Sequence, residues 1–164
     1  MTKALLLLSI VLPCCTSSSR AGDAQFVVQN RFPATTPVGI VKVSYRGVVL
    51  QGNVIANGAD SPAMVVSPGV DPAYALLAFG WSPGATLPAR LVAVRTKDLQ
   101  PAVAGTTTPV VFSFPSHFGK CAGMTKDEYT RVTASYFASD PVEDYDAVAC
   151  PGLADSGADD AARD

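Results

Sequence analysis

Groups able to do chemistry are scarce in this sequence. It has a single histidine, His117, so no site needing two histidines can form and no H-E-x-x-H zinc motif is present. There is no C-x-x-C pair for redox or zinc chemistry and no glycine-rich loop ending in Lys-Ser or Lys-Thr to cradle a phosphate. Charged residues make up 16% of the chain and form no basic cluster, which argues against nucleic acid as a partner. The longest apolar run near the N-terminus, Ala4–Leu12, is too short to span a bilayer as a helix. No cofactor and no metal are expected. Asp140, Glu143, Asp144 and Asp146 carry hard oxygen ligands but lack the alternating acidic spacing of a calcium loop, and they read as a solvated acidic stretch.

What is present first is an export signal. One lysine in Met1–Lys3 precedes the run ALLLLSIVL, and Pro13 with the polar tract behind it would leave a buried strand or helix nowhere to continue. Two cysteines follow, Cys14 and Cys15, and then Thr16–Ser19, small polar residues suited to a flexible tether. The chain has four cysteines, and the other pair, Cys121 and Cys150, stands far downstream. Two cleavage points are compatible with this layout. One lies before Cys15; the other follows Ala24, with Gly22 and Ala24 as the small residues, and starts the mature chain at Gln25. Either leaves Cys121 and Cys150 as the one pair in the folded body, and an oxidising compartment then predicts a disulfide between them.

The body is electrically neutral, with ten basic and ten acidic residues from Arg20 to Gly152. It is also internally polarised. Arg20–Lys120 holds eight basic and four acidic residues, while Cys121–Cys150 holds two basic and six acidic. These opposite excesses predict that the second segment docks on the first. The tail PGLADSGADDAARD is small, acidic and aperiodic, and reads as disordered.

From Gln25 to Pro115 short runs rich in Val, Ile, Phe and Tyr alternate with turn signals such as Arg46-Gly47, Asn57-Gly58 and Ser67-Pro68-Gly69. A period of two places Val41, Val43 and Tyr45 on one face, and Val110, Phe112 and Phe114 on one face of a later strand. Six to eight such strands with no strand–helix alternation predict a mainly β fold, an antiparallel sandwich resembling immunoglobulin or fibronectin type III domains. The run AYALLAFGW is apolar on both faces and needs a cover. Thr125 with Glu128 three places on predicts a capping box, and Tyr129, Val132 and Tyr136 predict a short helix from about Thr125 to Phe137 with one apolar stripe. That helix, in the disulfide-closed segment 121–150, is the expected cover.

The N-terminal layout resembles the signal of bacterial lipoproteins, which are cut just before a cysteine that then carries lipid. Leu12 stands three places before Cys15 as that pattern asks, and Cys14 fills the place where the family has a small residue. Signal, cysteine, serine-rich tether, sandwich and late cysteine pair together are similar to small bacterial lipoproteins of no assigned activity. The resemblance implies a signal peptide at 1–14, lipidation at Cys15, a tether at 15–24, a domain at 25–150 and a tail at 151–164. It also implies retention at the outer membrane, because Thr16 rather than an aspartate follows Cys15. The expected role is non-catalytic binding or structural work in the cell envelope, with a protein or glycan partner. The alternative is an exported protease inhibitor or hydrolase on the same scaffold. His117 lies close to Cys121, but a half-cystine cannot act as a nucleophile, and no catalytic residue is assigned. Trp81, Tyr74 and Tyr45 are the aromatic candidates for a sugar or peptide groove; packing is the simpler role for each.

Overall fold

The computed structural model describes residues 22–82, 90–96, 101–113 and 121–148. Among them lie seven strands: β1 (Ala24–Asn30), β2 (Val38–Tyr45), β3 (Val48–Ile55), β4 (Met64–Val66), β5 (Tyr74–Phe79), β6 (Arg90–Arg95) and β7 (Thr107–Phe112). One helix, α1 (Lys126–Tyr136), and a 3₁₀ turn at Tyr145–Ala147 follow. The strands form two sheets, ordered β4-β1-β7 and β3-β2-β5-β6. The chain is mainly β with one helix, and its four-stranded sheet is antiparallel throughout. The three-stranded sheet is not: β7 runs parallel to β1, with Gln25 opposite Thr107 and Asn30 opposite Phe112. A parallel neighbour needs a crossover rather than a hairpin, and β7 is reached by leaving the other sheet after β6.

Burial in β1 alternates without a break, Ala24, Phe26, Val28 and Asn30 pointing inward. In β2 the alternation slips. The register with both neighbours shifts between Ile40 and Lys42, so Val41 is the extra residue of a bulge. Val38 and Ile40 therefore join Val43 and Tyr45 in the core, and Val41 is only half-buried. The expected face of Val41, Val43 and Tyr45 is corrected accordingly: one inserted residue reverses the phase of a period-two pattern.

Two edge-to-face ring pairs join the sheets, Phe26 with Tyr45 at 5.1 Å and Phe32 with Phe79 at 6.2 Å between centroids. A polar residue is enclosed in the same core. Asn30 is fully buried, and its Nδ2 donates to the carbonyls of Val38 (2.8 Å) and Ile55 (2.9 Å), on β2 and β3 of the opposite sheet. Its Oδ1 accepts from the Phe32 N–H. All of the amide's capacity to donate is thereby used, which is what makes its burial tolerable.

β5 is buried at every position, on both faces. The cover comes from the segment after Cys121, although α1 itself packs against β6 and reaches β5 through side chains. Tyr136 stacks on Tyr74, and the Tyr129 hydroxyl donates to the Glu143 carbonyl while the Ala93 N–H approaches it. Backbone bonds stitch the segment to the β6 edge, Arg95 N–H to Ala122 O and Glu143 N–H to Leu91 O, each 2.9 Å. Three ion pairs run from the sheet to the segment: Lys42–Asp140, Arg90–Glu143 and Arg95–Glu128. The opposite charge excesses of the two segments meet in these contacts.

The helix begins as its sequence asks, with the Thr125 hydroxyl accepting from the Glu128 N–H at 3.2 Å. The reciprocal half of the capping box does not form. Glu128 turns instead to the Arg95 guanidinium and the Tyr74 hydroxyl, a charged partner offering more than a backbone N–H. The apolar stripe is also displaced by one residue: Tyr129, Val132 and Phe137 are buried, while Tyr136 keeps 36% of its surface exposed.

Candidate functional site

The hairpin between β2 and β3 turns on Arg46 and Gly47, both with positive φ (49° and 77°). Asparagine and glycine are the usual residues for such a turn, so an arginine there carries conformational strain. Its side chain is firmly held. Nε donates to the Ser67 carbonyl at 2.8 Å, and Nη1 pairs with Asp71. The guanidinium lies against Gly69, where a Cβ would come within 2.5 Å of Nη1. A side chain at 69 would displace that guanidinium, and the φ of +140° there is itself one that favours glycine.

This arginine forms one wall of a cleft of about 290 Å³. Ser44 and Gly47 add to the hairpin side, Asp71, Pro72 and Tyr74 come from the entry to β5, and Arg131 and Tyr136 come from α1. The rings of Tyr74 and Tyr136 stack with centroids 5.9 Å apart and planes 26° apart. The Tyr74 hydroxyl donates to Glu128 Oε1 at 2.9 Å, with the Arg131 guanidinium beside it. Burial, and then the Glu128 carboxylate holding its proton, raise the Tyr74 pKa above the ordinary tyrosine value.

Arg131 differs from every other described cation. Arg31, Lys42, Arg46, Arg90, Arg95 and Lys126 each form an ion pair. Arg131 is the one basic residue without an acidic partner among the described residues, even though Asp127 stands one turn earlier on the same helix. Chemically the cleft offers two guanidinium groups, one carboxylate, a hydroxyl and an aromatic stack. That set can pair with an anion and pack against a ring.

The aromatic candidates separate cleanly. Tyr74 lines the cleft, whereas Tyr45 is fully buried against Phe26, and its hydroxyl makes no well-formed hydrogen bond among the described residues, with only the Ala102 backbone beside it. Trp81 is half-buried over Gly39, where a Cβ would sit 3.1 Å from the indole and 2.5 Å from Val54 Cγ1. The acidic run is divided among partners, Asp140 to Lys42, Glu143 to Arg90 and Asp146 to Lys126, and the described residues hold no cluster of three metal ligands. Cys121 is buried. Cys14, Cys15, Cys150, Phe114 and His117 lie outside the described residues, as does the tail.

Arg46 and Arg131 carry the cleft and escape a sequence reading, since neither lies in a motif. One string also escapes it: Gly80-Trp81-Ser82-Pro83-Gly84 matches the letters of the G-x-S-x-G nucleophile elbow directly after β5. An elbow takes an oxyanion-hole N–H from the residue after its serine, and Pro83 has none to give. No family model, curated protein or solved structure matches this chain, so its function is to be read from this geometry.

Proposed function

We propose that this chain is a non-catalytic lipoprotein of the cell envelope, fixed to the outer membrane by acyl groups on Cys15, whose two-sheet domain binds a partner at the cleft between the β2–β3 hairpin and α1. The observation that carries the binding reading is the Arg46 wall. A left-handed arginine fixed by Ser67 and Asp71 bears a backbone cost of the kind that clusters at binding sites, and Arg131, with no acidic partner among the described residues, lies across the gap from it. The anchoring reading rests on the residues Leu12 to Ser19, and no described helix is long and apolar enough to cross a membrane in its place.

The sheets fit an immunoglobulin-like arrangement on their strand order. In β3-β2-β5-β6 the strand β5 returns beside β2 after β4 has paired with β1 in the other sheet, a Greek-key path. The parallel β7 is this chain's own departure from it. A Cys121–Cys150 disulfide belongs to the same proposal: it closes the helical segment that covers β5 and forms one wall of the cleft.

Affinity capture from envelope extracts tests the binding reading, with the mature domain as bait and its Tyr136→Ala variant as matched control. A partner retained by the first and lost by the second is expected. Turnover of a hydrolase substrate, or tight inhibition of a protease, would overturn it in favour of a catalytic or inhibitory role.

A further inference from the structure

We infer that the cleft takes an acidic saccharide, its carboxylate held by the Arg131 guanidinium and a sugar ring laid against Tyr136. The inference rests on the binding role proposed above and names the ligand's chemical class. Among the described residues six cations are neutralised by their own carboxylates and Arg131 is not, so the positive charge of this surface that is left for a ligand stands at one wall of the cleft. An arginine gives a carboxylate two parallel N–H donors, a geometry that a point charge does not supply.

The rest of the lining selects among carboxylates. Arg46 is already matched by Asp71, so the two guanidinium groups and one carboxylate leave a single net positive charge. That suits a ligand carrying one carboxylate per ring rather than a phosphate with two charges. Asp71 is 53% exposed and engages Arg46 through Oδ2, which leaves acceptor capacity for a hydroxyl donor. A sugar hydroxyl meets that carboxylate as a hydrogen-bond donor. Ser44 supplies a further hydroxyl, and the partly exposed Tyr136 ring offers the flat apolar surface on which a pyranose C–H face rests. The cleft lies at the small end of ligand pockets, which are about 300–1,000 Å³, so it grips one or two rings of a longer chain.

Calorimetric titration of the mature chain with a glucuronic-acid disaccharide, with its neutral glucose counterpart and with a short peptide bearing a free C-terminus is the test. The acidic sugar should bind about tenfold or more tightly than the neutral one, which corresponds to about 1.4 kcal/mol. Arg131→Gln should abolish that preference, Arg131→Lys should restore part of it, and Tyr136→Ala should weaken both sugars. Arg131 is exposed on α1, so its variants keep the core intact. Equal binding of the two sugars, both lost with Tyr136→Ala, overturns the charge selection and keeps the cleft. Sugar binding indifferent to both positions overturns the cleft itself. A peptide bound more tightly than the acidic sugar, or no sugar binding at millimolar concentration, overturns the saccharide assignment.

Discussion

Replacing Asn30 by alanine should unfold the domain more readily than any other single polar substitution in the core. The amide donates at 2.8 and 2.9 Å to carbonyls on two strands of the opposite sheet and accepts from the Phe32 N–H at 3.2 Å. Truncation removes all three bonds at once and strips two fully enclosed carbonyls of these donors. At about 1–2 kcal/mol for each buried group so stranded, the loss comes to about 3–5 kcal/mol. A domain of this size is stable by about 5–15 kcal/mol, so the melting temperature should fall by about 10 °C or more. Asn57 is the matched control, because its Nδ2 also donates to two carbonyls, Pro33 and Thr36, but at a turn open to water. Asn57→Ala should cost about 1 kcal/mol or less. Asn30→Asp adds a pH signature. A carboxylate there faces two carbonyl oxygens, so its folded pKa is raised above its unfolded value, and stability relative to wild type should recover as pH falls. Chemical denaturation of the three variants decides the matter. Equal destabilisation by Asn30→Ala and Asn57→Ala would refute the idea that this amide clamps the sheets.

Tyr45→Phe should change stability by no more than about 1 kcal/mol, because the buried hydroxyl makes no well-formed hydrogen bond among the described residues and only the Ala102 backbone lies beside it; a larger loss would show a fully formed bond. Burial, the largest cause, pushes the Tyr129 pKa up from 10.0 to about 12, so the unfolded chain loses this proton first. Stability should be full below about pH 10 and decline as pH rises toward about 12, and Tyr129→Phe should flatten part of that decline in alkaline denaturation. Changing Cys121 and Cys150 together to serine should cost about 3–4 kcal/mol on the chain-entropy account and raise hydrogen exchange first in β5. Two free thiols on the exported protein under denaturing, non-reducing conditions would contradict the pairing.

Much of the fold is legible in the residues. The alternation of β1, the doubly apolar β5 and the Thr125 start of α1 each follow from side-chain pattern, because one or both faces of those elements are buried and say so. What escapes the pattern is whatever depends on a partner distant in sequence. The bulge at Val41 inverts a face and leaves no mark in composition. The parallel pairing of β7 with β1 is decided by the path of the chain between sheets. Asn30 did leave a signal, a lone polar residue at the inward end of Ala24, Phe26 and Val28, but its meaning needs two carbonyls from the opposite sheet. The cleft is the least legible part. Arg46 reads as an ordinary turn residue and Arg131 as an ordinary helix-surface cation until the hairpin, the β5 entry and α1 are brought together around one gap.

Intact-mass analysis of the chain recovered from the membrane fraction decides whether Cys15 carries the anchor. A lipoprotein of the envelope should appear as a chain beginning at Cys15, heavier than its residues by the mass of its acyl groups. It should resist salt washing, since each buried acyl methylene contributes roughly 0.8 kcal/mol to the anchor. A soluble, unacylated product beginning at Gln25 would contradict it.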